Sequence, residues 1–333
     1  MARATTTPAA TTPAATTSTI AVTRSPGVVA PTSTVSASTS ASPASTSSDA
    51  SATRTPSSAS PTTAAARHAP LLDGLAGEPA GLGAQFSTAL HTVLDPASTA
   101  DAVEVAGRRH QLVVRRLAAH QDWQPEALAA VDPDVREIAA NDLAAVNAPG
   151  NAALAKPVAP KPTIPAWRIR APLPTDELLA DYREAEAATG IEWVYLAAIN
   201  LVETRMGRIV GLSGDGAVGP MQFLPSTWAV CCQGDPTVDH DAIVGAARYL
   251  VRRGGPADMR RAILGYNPND AYLEMIERYA ANLRAHPGLL AGYHAWQVFV
   301  GTTAGPIRLP VGFEAPEPTD AAVYLTTHPE DRG

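Results

Sequence analysis

Apolar positions recur at helical spacing through most of the chain beyond residue 100. In DAVEVAGRRHQLVVRRLAAH, Asp101 to His120, the residues Val105, Leu112, Val113 and Leu117 predict an amphipathic helix, and PEALAAV and VREIAANDLAAV predict two shorter ones. Further on, Thr175 is placed to cap DELLADYREAEAAT, with Asp176 and Glu177 in the favourable first turn and Gly190 as the stop. A second helix ends at Gly207. A third, DAIVGAARYLVRR, has Asp239 or Asp241 as its cap and is closed by Gly254 and Gly255. MRRAILGYN and AYLEMIERYAANL complete the set, the latter with Tyr272, Ile276, Tyr279 and Leu283 on one face. No period-2 strand is predicted before the tail, where VYL and QVFV read as short strands. The pattern predicts a mostly α protein.

One polar residue breaks this pattern. Glu203, in AAINLVETRMGR, shares a helical stripe with Leu196, Ile199 and Met206. A carboxylate facing the interior without a partner costs several kcal/mol or takes up a proton, which raises its pKa toward what a general acid requires. Position alone leaves a second reading open, a helix-edge residue paired with Arg205 or Arg208.

Composition divides the 333 residues. Residues 1–66 are Thr, Ser, Ala and Pro with the near-repeat TTTPAATTPAATT, a disordered arm too poor in large apolar groups to offset the entropy of ordering. Residues 67–148 are Ala/Leu-rich and helical; their His110 and His120 read as solvated helix residues rather than ligands, since no second ligand pair accompanies them. Residues 149–165 form a Pro-rich linker. Before Trp167 the aromatics are only Phe86 and Trp123, so the main core is assigned to 166–290, followed by a partly disordered extension, 291–333.

Charge and motifs narrow the function. The net charge of -7 and the lack of a basic run with interleaved aromatics argue against nucleic acid as a partner. No apolar stretch is long enough to span a bilayer, and a monomer is expected. A leader peptide is not visible, GVVA at Gly27 to Ala30 being typical of the early apolar runs; export by another route, a start upstream of Met1 and a cytoplasmic location are the readings. Cys231 and Cys232 are adjacent, which excludes a loop-closing framework within the chain, leaves a bond between neighbours open and gives no metal spacing. GDPTVDHD, Gly234 to Asp241, lacks the spacing of a calcium loop, and turn or capping roles are predicted for its acids; no metal and no cofactor is expected. In GLSGDGAVGPMQFLPSTW, Gly211 to Trp228, the glycines lack the phosphate-loop pattern and predict a tight left-handed turn folding back over the preceding helix, from which Ser213 would reach Glu203.

Four segments in order, ETRMGR, GAVGPMQFLPSTW, DAIVGAARYL and GYN, resemble the lytic transglycosylases of the lysozyme-like superfamily, in particular the soluble and the membrane-bound B types. The resemblance covers about residues 165–283. It implies a lysozyme-like helical catalytic domain, action on peptidoglycan glycan strands and a location in the cell envelope or outside the cell. It also implies Glu203 as the single acid/base, Ser213 as its hydrogen-bonding neighbour, Met221 in the cleft wall and Gln222 against substrate or acid. Tyr266 would lie near the acid, with Asn267 holding a sugar group. The plainer alternatives are a turn residue for Ser213, core for Met221, a helix-face residue for Tyr266 and a helix stop for Asn267. In the family a substrate C6 hydroxyl replaces water, leaving a 1,6-anhydromuramoyl end. The alternatives are a muramidase, with Asp215 as second carboxylate, and an inactive glycan-binding module. The sequence departs from the family at Thr204, where soluble members have Ser, at Asp215, where a small residue is usual, and at Cys231-Cys232, which replaces a segment often containing Tyr-Gly.

Overall fold

A computed structural model describes residues 74–148 and 160–333; the predicted arm and the first eleven residues of the predicted linker lie outside them. Helices dominate. α1, Pro79–Leu94, starts on a proline and buries Leu82, Phe86, Leu90 and Val93. α2, Ala100–Ala119, is capped by the Thr99 hydroxyl, which accepts from Ala102 N–H. Its inward stripe runs through Ala106, His110, Val113 and Leu117, one residue away from the predicted Val105, which is 65% exposed. α3, Gln124–Ala130, and α4, Arg136–Asn147, are the two shorter helices.

The end of the predicted linker is structured. β1, Thr163–Ile164, and β2, Arg168–Ile169, lead into α5, Thr175–Thr189, which Gly190 ends in the left-handed conformation. α6 is Trp193–Thr204, followed by β3, Ile209–Val210; α7 is Pro225–Cys231, α8 is Asp239–Arg253 and α9 is Met259–Tyr266. α10, Asp270–Ala285, is capped by the Asn269 side chain, and α11 is Leu289–His294. Then come β4, Val298–Thr302, β5, Gly305–Leu309, β6, Thr319–Asp320, and α12, Ala321–Thr327. The strands pair antiparallel as β1 with β6, β2 with β3, and β4 with β5. Among the described residues no helix is long and apolar enough to cross a membrane.

Several expectations are corrected. Thr175 and Asp239 are the first residues of their helices rather than caps, and no side chain caps either one. Asp239 instead pairs with Arg170, and Asp241 accepts from Asp235 N–H. α6 stops at Thr204, three residues before Gly207, because Arg205 and Met206 both turn left-handed. QVFV enters a strand as predicted, but VYL lies inside α12. The two-residue strands β1 to β3 are too short to show a period of two.

One apolar cluster runs from Leu82 and Phe86 through Tyr182, Ile199 and Ile276 to Trp296, so α1 to α4 share their core with the segment assigned to catalysis. His110, predicted to be solvated, is fully buried in this shared core. Its Nε2 meets Asp142 at 2.7 Å, and the same carboxylate accepts from Tyr293 Oη at 2.6 Å and Asn282 Nδ2 at 3.1 Å, joining α2, α4, α10 and α11. The tail, predicted to be partly disordered, folds around a second cluster of Ile164, Ile169, Val298, Ile307, Leu309 and Tyr324. Inside this C-terminal lobe Asp331 accepts from Arg308 Nε at 2.8 Å and from Tyr324 Oη at 2.7 Å.

Candidate active site

α6 is apolar nearly all round, with Trp193, Val194, Leu196, Ile199 and Leu201 buried. Glu203 stands one residue from its C-terminal end, half-buried, in the floor of a cleft of about 280 Å³. Neither arginine pairs with it: Arg205 donates to the Leu201 carbonyl and Arg208 to the His294 carbonyl, so the ion-paired edge reading fails. Its partner is Tyr272 of α10, whose hydroxyl donates to Oε1 at 2.7 Å. Burial pushes the Glu203 carboxyl from 4.5 up to about 7, against the opposing pull of the Tyr272 hydrogen bond. Burial and then the Glu203 charge hold the Tyr272 phenol well above its ordinary value, so it stays protonated and able to donate.

The glycine-rich segment forms the facing wall. Gly216 and Gly219 are left-handed, and a Cβ at Gly219 would come within 1.7 Å of the Pro236 carbonyl oxygen, leaving no room for a side chain. Ser213 lines the cleft, yet its hydroxyl is engaged in the turn, accepting from Ala217 N–H at 2.9 Å and Asp215 N–H at 3.2 Å. It is a turn residue rather than the acid's hydrogen-bonding neighbour. Gln222 also lines the cleft and has a left-handed backbone, φ 50°, a strained state for a residue with a side chain; its amide donates to the Gly219 carbonyl at 2.9 Å.

Met221 and Tyr266 do not line the cleft, although Tyr266 lies near enough to the acid to feel its charge. The Met221 side chain is fully buried in the core and does not line the cleft; its carbonyl accepts from Tyr266 Oη at 2.5 Å. The Tyr266 ring packs edge-on to Phe223 and Tyr249, centroids 5.5 Å and 5.7 Å away. Tyr266 thus braces the loop from behind. Burial first, then the charge of Glu203, keep its phenol well above the ordinary value. A second brace is the buried chain in which Tyr182 Oη donates to Asn200, while Asn200 and Thr204 both donate to the Pro220 carbonyl, at 2.9 Å and 2.6 Å. The hydroxyl of Thr204 therefore has a structural use, holding the Pro220 carbonyl.

Asn267 follows the last residue of α9, as the helix-stop reading expects, and it also lines the cleft. Asp215 is exposed in the turn and is not part of the lining, and among the described residues Glu203 is the one carboxylate that is. Trp167 and Tyr272 are the aromatic members of the lining, and neither was singled out for chemistry in the sequence. Cys231 and Cys232 are joined to each other beside Trp228, whose ring fits against Gly245. Asp235 accepts from the backbone and hydroxyl of Thr237, as predicted for a turn. A larger hollow, about 570 Å³, between α1 and α2 shares no residue with the Glu203 cleft. His91, Asp132 and Asp134, the one group of metal-ligand type among the described residues, is exposed at the surface and is likewise outside it. No family model matches the chain, and no curated protein and no solved structure matches it.

Proposed function

We propose that the chain is a peptidoglycan lytic transglycosylase that cleaves the β-1,4 bond between N-acetylmuramic acid and N-acetylglucosamine. The observation that carries this reading is Glu203: a half-buried carboxyl raised to about 7, held by one tyrosine hydroxyl, and the sole carboxylate of its cleft among the described residues. Glycoside hydrolysis ordinarily uses two carboxylates. A single one suffices where the nucleophile belongs to the substrate. Protonated Glu203 gives its proton to the glycosidic oxygen as the bond to the muramoyl carbon breaks. The resulting carboxylate, steadied by Tyr272, takes the proton of the muramoyl C6 hydroxyl as that oxygen closes on the same carbon. The acid is regenerated, no water is consumed, and the product carries a 1,6-anhydro ring. Ser213, Gln222 and Asn267 give the cleft the hydroxyl and amide groups that suit N-acetylated sugars.

The same four sequence segments that resemble the family support the reading, which carries with it action in the cell envelope. Hydrolysis is less well supported, since Asp215, its proposed second carboxylate, is exposed outside the cleft lining. Digestion of purified peptidoglycan followed by mass spectrometry of the muropeptides tests the proposal. Anhydro ends are expected; reducing ends would identify a muramidase, and no products a binding module. Glu203→Gln is expected to abolish release with the fold intact, and full activity in that variant would refute the assignment of the acid.

A further inference from the structure

Trp167 is the member of the cleft lining to which the reaction above gives no part. It precedes β2 and is fixed from several sides. Its N–H donates to the Pro165 carbonyl at 2.8 Å, its carbonyl accepts from Ala315 N–H at 2.9 Å, and its indole N–H donates to the Leu212 carbonyl at 3.2 Å. Arg168, next in the chain, pairs with Val210 of β3 and bridges to Glu314. The ring also packs on the apolar cluster of the C-terminal lobe, and Gly211 lies so close that a Cβ there would come within 2.5 Å of the indole. The polar edge of the indole is therefore satisfied, its orientation is set, and the ring remains half-exposed at the cleft. Beside it Leu212 is 61% exposed on the opposite loop.

Such an arrangement suits a ligand with an apolar face and a polar rim. The axial C–H groups of a β-linked pyranose present a weakly positive, apolar face that complements the negative face of an aromatic ring, while hydroxyl and acetamido groups point outward to hydrogen-bonding partners. Tyr272, the other aromatic of the lining, has its hydroxyl committed to Glu203. We propose that Trp167 is the platform on which one sugar ring of the glycan stacks beside Glu203, and that the C-terminal lobe is part of the substrate site because it holds this ring in place. The proposal rests on the glycan-cleaving reading and adds to it a residue that sets affinity and register along the strand.

Calorimetric titration of the full chain in the Glu203→Gln background, with a β-1,4-linked N-acetylglucosamine hexamer as probe, measures binding without turnover. Trp167→Leu, which keeps an apolar group against the lobe but has no aromatic face, is expected to weaken binding by about threefold to tenfold. Trp167→Phe restores most of it, and Gly211→Ala, which pushes the indole aside, behaves like Trp167→Leu. Thermal melting of each variant reports whether the lobe stays folded; if Trp167→Leu melts early, Gly211→Ala and Trp167→Phe carry the decision. Parental affinity in folded Trp167→Leu or in Gly211→Ala overturns the platform, as does failure of the Glu203→Gln parent to bind the hexamer at all. Release of muropeptides by the unmodified chain is scored separately, so the stacking platform can fail while the transglycosylase reading stands.

Discussion

Replacing Tyr272 by Phe removes one hydroxyl and keeps the ring that fills the space between α6 and α10. The lost contact is the 2.7 Å hydrogen bond to Glu203 Oε1, which favours the ionised carboxyl and so holds its pKa down against burial. A hydrogen bond to a charged group is worth about 1.5–3 kcal/mol, and about 1.4 kcal/mol corresponds to one pKa unit. Starting from about 7, the Glu203 carboxyl in Tyr272→Phe is therefore expected to titrate about one to two pH units higher. In the proposed reaction the first step needs the protonated acid, so kcat/KM is expected to fall as pH rises through that pKa, and the alkaline limb of the pH profile to move upward by the same interval. Peptidoglycan solubilisation across the pH range measures the limb, and carbon NMR of the labelled Glu203 carboxyl measures the titration without relying on turnover. An alkaline limb and a carboxyl titration both left at the wild-type position would refute the claim that Tyr272 sets the protonation of the acid.

Ser213→Ala is expected to lower activity through the slackened turn but to leave the alkaline limb unmoved, since its hydroxyl holds backbone N–H groups and not Glu203; a shifted limb would restore the predicted contact with the acid. His110→Ala strips one buried partner from Asp142 and is expected to destabilise the fold by about 1–3 kcal/mol in urea melts. Gly219→Ala has no room against the Pro236 carbonyl and is expected to lose most activity together with at least about 2 kcal/mol of stability; an unchanged melt would mean that the loop can yield. Glu203→Gln is expected to be more stable than the wild type by up to about 3 kcal/mol at pH 8, the gap closing as the pH falls to about 4.5. The sign follows from the raised pKa: the folded chain binds more protons than the unfolded one between about 4.5 and 7, so this carboxyl weakens the fold progressively as pH rises through that window.

The elements with long regular periods were readable in advance, as were the residues whose chemistry conflicts with their surroundings. Glu203 stood out because an acid on an apolar stripe is unusual, although position alone left an ion-paired edge residue equally open, and Gly190 was readable because its left-handed turn ends α5. Tyr272 was hidden for the opposite reason. A tyrosine in step with Ile276, Tyr279 and Leu283 satisfies the helical pattern, and its bond to an acid 69 residues away is set by how α10 crosses α6 rather than by local sequence. His110 was misread likewise: its partner Asp142 lies 32 residues on, and the packing of α2 against α1, α4 and α11 makes it interior. Ser213 and Asp239 went wrong through competition for hydrogen bonds, each finding a backbone or arginine partner nearer than the one predicted.

The C-terminal lobe shows why a tail with weak periodicity can still be part of the site. Its core is assembled from segments more than a hundred residues apart: Ile164 comes from the end of the predicted linker and Ile169 from the start of the segment assigned to catalysis, while Val298, Ile307, Leu309 and Tyr324 come from the tail. Neither group has enough apolar surface to fold alone, which is why each reads as irregular when inspected separately. Joined by β1 with β6 and by the backbone bonds of Ile169 to Phe313 and of Ala315 to Trp167, they fix the strand that enters the cleft wall. Removing the tail would therefore expose Ile164 and Ile169 and release Trp167, while the Glu203–Tyr272 pair, rooted in the larger helical core, would keep its own supports. Acid chemistry and the indole wall thus rest on different cores. A tail deletion that impaired glycan binding but left the Glu203 titration in place would separate the two, and a titration that moved with the deletion would show that the cores act as one.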